Sequence, residues 1–195
     1  MPIRSLVLVA FLSLAVVLLG AGCAWVPQTA RIQVSPTVAP STEGRGVKFA
    51  VEVLDRRLTT KLGHRGVDSE NAAITSEQNI AVLVRDALVA GYVKKGFNAV
   101  AHEGEPGRVL TVELSKLEYT TDMVYWKGIV MTEAVLNATT FKSGVRFQQI
   151  YLGRRKETTI EAPRAKTNER LLNEAITEAT KSLLEDPNLL RFLAE

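Results

Sequence analysis

The feature that most constrains this chain is an apolar run near its start, because it excludes the first residues from the folded domain. A short positive segment with Arg4 comes first, and Ser5 to Leu19 then contains no charged residue. The run is shorter than the roughly 20 apolar residues that a membrane-spanning helix needs. Small residues ending in Gly22 follow it. These three parts are typical of a cleaved signal peptide, so we assign residues 1–22 to a leader.

Cys23 directly follows the leader and is the only cysteine in the sequence. A single cysteine excludes an intramolecular disulfide and a cysteine metal cluster. Its position resembles a lipobox, the signal read by bacterial lipoprotein-processing enzymes. In that signal the chain is cleaved between Gly22 and Cys23, and the thiol carries a diacylglyceryl group. Gly20 departs from the pattern, which usually has leucine there. The alternatives are an ordinary secretory signal with an incidental cysteine, and an uncleaved anchor.

The residue after the cysteine indicates a destination. The resemblance to bacterial lipoproteins implies three acyl chains on Cys23 in a Gram-negative cell, enough for stable anchoring. Ala24 stands where an Asp, in enterobacterial lipoproteins, retains the protein in the inner membrane. By this analogy Ala24 is a sorting residue that sends the protein to the outer membrane, facing the periplasm.

The mature chain has the size and composition of one domain. We interpret residues 23–46, which are rich in proline and glycine, as a tether that follows the lipidated cysteine. Within it, the alternation over Arg31 to Ser35 indicates a short edge strand closed by Pro36. Residues 47–195 then form a single domain. The formal net charge of the whole chain is only +3, which argues against a nucleic-acid partner.

Hydrophobic periodicity predicts the elements of this domain. A capping-box pattern at Thr75 and Gln78 begins a helix that ends at Gly96. A second apolar stripe predicts a helix over Leu171 to Leu183, and Asp186-Pro187 opens a short last helix. The polar stretch Asp55 to Asn71 indicates a loop. Alternation and turn residues predict strands at 47–54, 97–101, 109–119, 129–140 and 145–154.

This order predicts an α+β fold: an antiparallel sheet of about four to six strands, with two main helices packed on one face.

Several short patterns occur in a characteristic order along the chain. They are Gly22-Cys23-Ala24, residues 32–36, residues 51–57, Leu62-Gly63, Gly96-Phe97, the strand at 110–114, and a tail in which residues 171–173 lead to residues 183–186. In this order they resemble the YajG family of outer-membrane lipoproteins. The resemblance implies the location and the fold, and it leaves the mechanism open.

The sequence lacks recognisable patterns for catalysis or cofactor binding. His64 and His102 stand in loop-like settings without the further ligands that zinc requires, so we interpret them as solvated. Neither a nucleophile-elbow pattern nor a phosphate-binding glycine loop occurs. We therefore predict no enzyme, no metal and no cofactor. The run Asp55 to Arg57 favours an anchor for the following loop over a site for an anionic headgroup or glycan phosphate. Residues 154–156 are interpreted as a solvated strand end.

One segment of the sequence indicates a contact with a partner protein. Met123-Val124-Tyr125-Trp126 falls in the predicted strand connection over residues 120–128, where side chains are usually polar. Tyr125 and Trp126 are therefore candidate contacts for an envelope protein. The alternative is that these rings join the core.

The anchor and the lack of catalytic patterns predict a non-catalytic interaction or adaptor domain at the periplasmic side of the membrane. The alternative is a ligand-binding module for lipid, lipopolysaccharide or peptidoglycan fragments. Such a module needs a pocket between the helices and the sheet.

Overall fold

The computed structural model describes residues 26–66, 71–104, 107–160 and 163–195. The predicted leader, including Gly22, lies outside the described residues, as do Cys23 and Ala24. Among the described residues, no helix has both the length and the apolar character required to cross a membrane.

An eight-stranded sheet forms one layer of the fold. Its strands are β1 (Gln28–Thr29), β2 (Lys48–Asp55), β3 (Gly63–His64), β4 (Ala73–Thr75), β5 (Asn98–Ala101), β6 (Val109–Val124), β7 (Lys127–Lys142) and β8 (Val145–Thr159). The second layer consists of α1 (Ile80–Lys94), α2 (Ala165–Leu184) and α3 (Pro187–Ala194).

The long strand β6 organises the sheet. Along one edge it pairs antiparallel with β7, which pairs antiparallel with β8. Along the other edge, β6 pairs in parallel with β2 over its first part and with β3 at Tyr119. Parallel pairing also joins β2 to β5 and β1 to β4, whereas β3 and β4 are antiparallel. Four of the seven strand pairings between the described residues are therefore parallel.

The α+β class is confirmed, but the prediction of an antiparallel sheet of four to six strands is wrong. Turn residues identify hairpins in a sequence, and only β6, β7 and β8 are joined in that way. β2 reaches its neighbour β5 through a crossover that contains α1, which makes this pair parallel. The remaining strands, β1, β3 and β4, are two or three residues long. Strands this short cannot show the alternation of apolar and polar residues by which a strand is predicted from the sequence.

Helix α1 packs on β2 and β5, and α2 packs on β7 and β8. The two helices meet where Gly91 faces Leu184, with no room for a side chain at Gly91. The core lies between these helices and the sheet. Phe49, Tyr92 and Phe97 meet edge to face within it, with ring centroids 5.2–5.7 Å apart. Two main helices on one face of the sheet were predicted correctly.

The predicted capping box at the start of α1 is wrong. Thr75 ends strand β4, and the side chain of Asn79 caps the helix by accepting a hydrogen bond from the Val82 amide at 3.2 Å. Gln78 instead accepts from the Ile32 amide at 2.6 Å and donates to the Ile32 carbonyl at 3.2 Å. Gly96 does end the helix in the left-handed region, with φ +83°.

Residues 31–35, predicted as a short edge strand, form an extended segment along α2 instead. The amides of Arg31, Gln33 and Ser35 donate to the side chains of Glu169, Asn173 and Thr177 at 2.9–3.2 Å. These three acceptors lie on successive turns of one helix face. Ile32, between them, is buried. The alternation in the sequence was therefore real, but a helix supplies the hydrogen bonds that a strand was expected to supply.

Candidate functional site

The segment predicted as a candidate contact is the tip of the hairpin formed by β6 and β7. The two strands stay paired as far as Val124 and Lys127, so only Tyr125 and Trp126 form the turn. The predicted nine-residue connection is in fact mostly strand. We call residues 123–126 the hairpin tip.

The side chains of the hairpin tip are exposed. Tyr125 is 93% and Trp126 66% exposed, and Met123 and Val124 are also exposed. The nitrogen of Lys127 lies 5.1 Å from the centre of the Trp126 ring, at cation–π distance. The alternative interpretation, in which these rings join the core, is therefore wrong.

Tyr125 holds an unusual backbone conformation, with φ +58°. A tight two-residue turn favours positive φ, and glycine, asparagine or aspartate normally supplies it. A bulky residue there is strained, by roughly 1–2 kcal/mol. The turn thus carries a large aromatic side chain where a small residue would fit better.

The N-terminal part of the chain lies at the same end of the sheet as the hairpin tip. The Thr121 hydroxyl donates to the carbonyl of His64 at 3.2 Å, which places the end of β3 beside that part of β6. The next residue, Arg65, donates to the carbonyl of Val26 at 3.4 Å. Val26 therefore lies near the level of Thr121, four residues along β6 from Tyr125.

A buried polar cluster fixes this end of the chain. The Tyr119 hydroxyl donates to Asn168 Oδ1 at 2.7 Å, and Asn168 Nδ2 donates to Gln28 Oε1 at 2.9 Å. Gln28 Nε2 in turn donates to the carbonyl of Ala165 at 2.8 Å. Burial raises the pKa of Tyr119, which keeps its hydroxyl protonated as the donor.

This cluster was not predicted from the sequence. The signal available was Asn168, because it falls at helical spacing before Leu171, Leu172 and Ala175 and so belongs to the apolar stripe of α2. A polar residue in such a stripe must find hydrogen-bond partners inside the protein.

A cleft of about 580 Å³ opens between the loop after β2 and the middle of β6. The Arg57 guanidinium at its wall donates to both carboxylate oxygens of Asp55, at 2.9 and 2.7 Å. These hydrogen bonds lower the pKa of Asp55. The prediction that Asp55 and an arginine anchor the following loop is confirmed.

Residues 154–156, interpreted as a solvated strand end, lie inside β8, which continues to Thr159. Arg154 pairs with Glu133, and Arg155 pairs with Glu174 and Glu178. His64 in β3 and His102 directly after β5 are half-buried, and His102 Nδ1 is buried without a hydrogen-bond partner among the described residues, so the interpretation as solvated is wrong for His102. In the part of the chain that the structure describes, no three histidine, cysteine or acidic side chains come together as metal ligands.

Comparison with known proteins identifies the family. A family model described as "Uncharacterized lipoprotein" matches residues 34–194. The chain belongs to this family, the YajG family of uncharacterised lipoproteins, as its short patterns predicted. No curated protein matches the chain in sequence.

Solved structures support the fold. The chain is similar to protein XCC0632 from Xanthomonas campestris, with a TM-score of 0.58 at 14% identity, over 85% of this chain and 95% of the other. It also matches a candidate neuraminyllactose-binding hemagglutinin homolog from Helicobacter pylori, with a TM-score of 0.48 at 8% identity, over 84% and 94% of the two chains. A candidate lipoprotein from Caulobacter crescentus has a TM-score of 0.38 at 13% identity, over 74% and 90%. TM-scores below 0.5 do not establish a common fold, so among these three structures only that of XCC0632 supports the fold of this chain.

Proposed function

We propose that this lipoprotein is anchored through acylated Cys23 in the outer membrane and faces the periplasm. Its domain acts there as a non-catalytic module that docks onto an envelope protein through the hairpin tip. The exposed aromatic pair Tyr125 and Trp126 is the observation that carries this proposal. Tyrosine and tryptophan are the residues most enriched at the energetic centres of protein interfaces.

The position of the hairpin tip indicates where docking takes place. Gln28, five residues after Cys23, is already fixed in the buried polar cluster. Five extended residues span at most about 17 Å. A lipid on Cys23 therefore holds the domain close to the membrane, with the hairpin tip at the anchored end. The partner that this geometry favours is an envelope protein whose contact surface lies at the membrane.

The test is photocrosslinking in living cells. A photoreactive amino acid at position 125 or 126 should give a reproducible protein adduct, which mass spectrometry then identifies. Phe141 is a matched control, because it is an exposed aromatic residue at the opposite end of β7. No protein adduct from the hairpin tip, or the same adducts from position 141, would refute docking. Adducts with lipid alone would assign the hairpin tip to the membrane surface instead.

The alternative function, binding of a small envelope molecule, is favoured by one observation. The cleft beside Arg57 has a volume within the range of small-molecule sites, about 300–1,000 Å³. It lies at an edge of β6 and not between the helices and the sheet, where a ligand-binding module was expected to have its pocket.

A further inference from the structure

The cleft beside Arg57 exists because β6 changes partners along one edge. Its pairing with β2 ends at Leu114, and its pairing with β3 is at Tyr119. Within the described part of the chain, residues 115–118 of β6 have no strand partner on that edge. The chain from Arg56 to Leu62, which joins β2 to β3, passes beside this interval and forms the other wall.

One polar group in this wall lacks a partner. The Arg57 side chain is only 8% exposed, and two of its nitrogens, Nε and Nη2, bond to Asp55. The third nitrogen, Nη1, is buried and has no hydrogen-bond partner among the described residues. A buried charged donor without a partner destabilises the fold, because no hydrogen bond compensates for its loss of water. Such groups in a native fold call for an acceptor that the chain itself does not supply.

Further cations line the same cleft. Lys61 is exposed on the loop, and Lys116 projects from β6. Glu118 and Glu133 pair with Lys116 at 2.9 and 3.1 Å, so its charge is matched. Asp55 likewise matches the charge of Arg57 and leaves only Nη1 without a hydrogen-bond partner among the described residues, so Lys61 supplies the unmatched charge and Arg57 Nη1 the available donor. A volume of about 580 Å³ accommodates a whole small molecule that carries the anion.

We propose that this cleft binds a small molecule through a phosphate or carboxylate group, which accepts hydrogen bonds from Arg57 Nη1 and pairs with Lys61. Phosphate and carboxylate oxygens are the acceptors that a guanidinium group binds most strongly. The inference deepens the ligand-binding alternative and does not depend on docking at the hairpin tip.

The test uses the purified, full-length lipoprotein in detergent micelles, labelled with ¹⁵N. It is titrated separately with glycerol 1-phosphate, which represents a lipid headgroup, and with muramyl dipeptide, a carboxylate-bearing peptidoglycan fragment. At least one of them should shift the amide signals of Gly63 and Gly66, which line the cleft, in a saturable manner. The probe that binds identifies the source of the anion, and the absence of saturable shifts with both overturns the proposal.

Variants test whether Arg57 and Lys61 bind the anion. Arg57→Lys keeps the charge but removes Nη1, and it should weaken binding about tenfold. Lys61→Gln changes an exposed side chain that the fold does not need, and it should weaken binding about threefold. Lys48→Gln, at the opposite end of β2, is the matched control and should have no effect. Equal effects of Lys61→Gln and Lys48→Gln would overturn the proposal. Photocrosslinking at the hairpin tip should be unchanged in all three variants, which separates this test from that of docking.

Discussion

The buried polar cluster and the hairpin tip lie at the same end of the sheet and have opposite properties. In the cluster, Gln28, Tyr119 and Asn168 are buried, and each is hydrogen bonded to another member. In the hairpin tip, Tyr125 and Trp126 expose large apolar rings, and Tyr125 does so from a strained backbone.

This difference separates residues that hold the fold together from residues that remain exposed. A buried polar network whose groups are bonded to one another specifies one arrangement of the fold, because breaking any link leaves a costly unpaired group. An exposed aromatic pair contributes little to folding, because its rings stay in water. The chain at Gln28 is thus held by the buried polar cluster, while the rings of the hairpin tip stay exposed to solvent.

The largest effect is expected from removal of the proposed lipid anchor. Cys23→Ala should abolish labelling by radioactive fatty acid and move the protein from the membrane fraction to the soluble fraction. The reason is that only lipidation at this residue is proposed to hold the domain at the membrane. Cys23→Ala protein that remains in the membrane fraction would refute the lipidated interpretation, and with it the proposed position of the hairpin tip.

Two alanine variants test whether the buried polar cluster stabilises the fold and the hairpin tip does not. Asn168→Ala leaves Tyr119 and Gln28 with unpaired buried groups, so it should lower the free energy of unfolding by about 2–4 kcal/mol. Trp126→Ala should change it by less than about 0.5 kcal/mol. Urea denaturation followed by circular dichroism measures both. Asn137→Ala, on the opposite face of β7, controls for loss of an asparagine and should cost about 1 kcal/mol. Equal losses from Asn168→Ala and Trp126→Ala would remove the distinction.

A smaller effect is expected at the turn. Tyr125→Gly relieves the strain at φ +58°, partly offset by the greater freedom of glycine in the unfolded chain. The net change should be a gain of about 0.5–1 kcal/mol in the free energy of unfolding, together with loss of the crosslinked partner. Tyr125→Phe keeps the ring and the strain, so its stability should match that of the natural protein. Destabilisation by Tyr125→Gly would show that the ring is needed for folding.

The smallest effect concerns the pH dependence of the loop anchor. The Arg57 guanidinium lowers the pKa of Asp55 in the folded protein, so this contact stabilises the fold at neutral pH. Its contribution should decline as the pH falls below the ordinary value of about 3.8, through the lowered pKa. Arg57→Gln should remove this part of the acid dependence, measured as the difference in urea midpoints between pH 6 and pH 3. An unchanged difference would mean that Asp55 is not coupled to Arg57.

Local signals in the sequence predicted a large part of the fold. The long hairpins, the first main helix with its glycine stop, and the Asp186-Pro187 start of α3 all follow from period, turn residues and caps. The aromatic residues of the hairpin tip were also identified from the sequence as candidate contacts, because they stand where polar residues are usual. These local signals gave wrong predictions where a residue forms hydrogen bonds with a segment that is distant in the sequence. Gln78, for instance, matches a capping box but bonds to Ile32, 46 residues away.

What the sequence determined by itself is therefore the local chemistry: an apolar run without charges followed by one cysteine, amphipathic segments, and an aromatic pair between two strands. Tertiary structure alone decided that β2 joins β6 in parallel, that residues 31–35 lie on α2, and that Tyr125 and Trp126 are exposed. It also decided that one nitrogen of Arg57 is buried without a partner among the residues that the structure describes. The reason is that period and turn propensity act over a few residues, whereas burial and pairing depend on segments that are far apart in the chain.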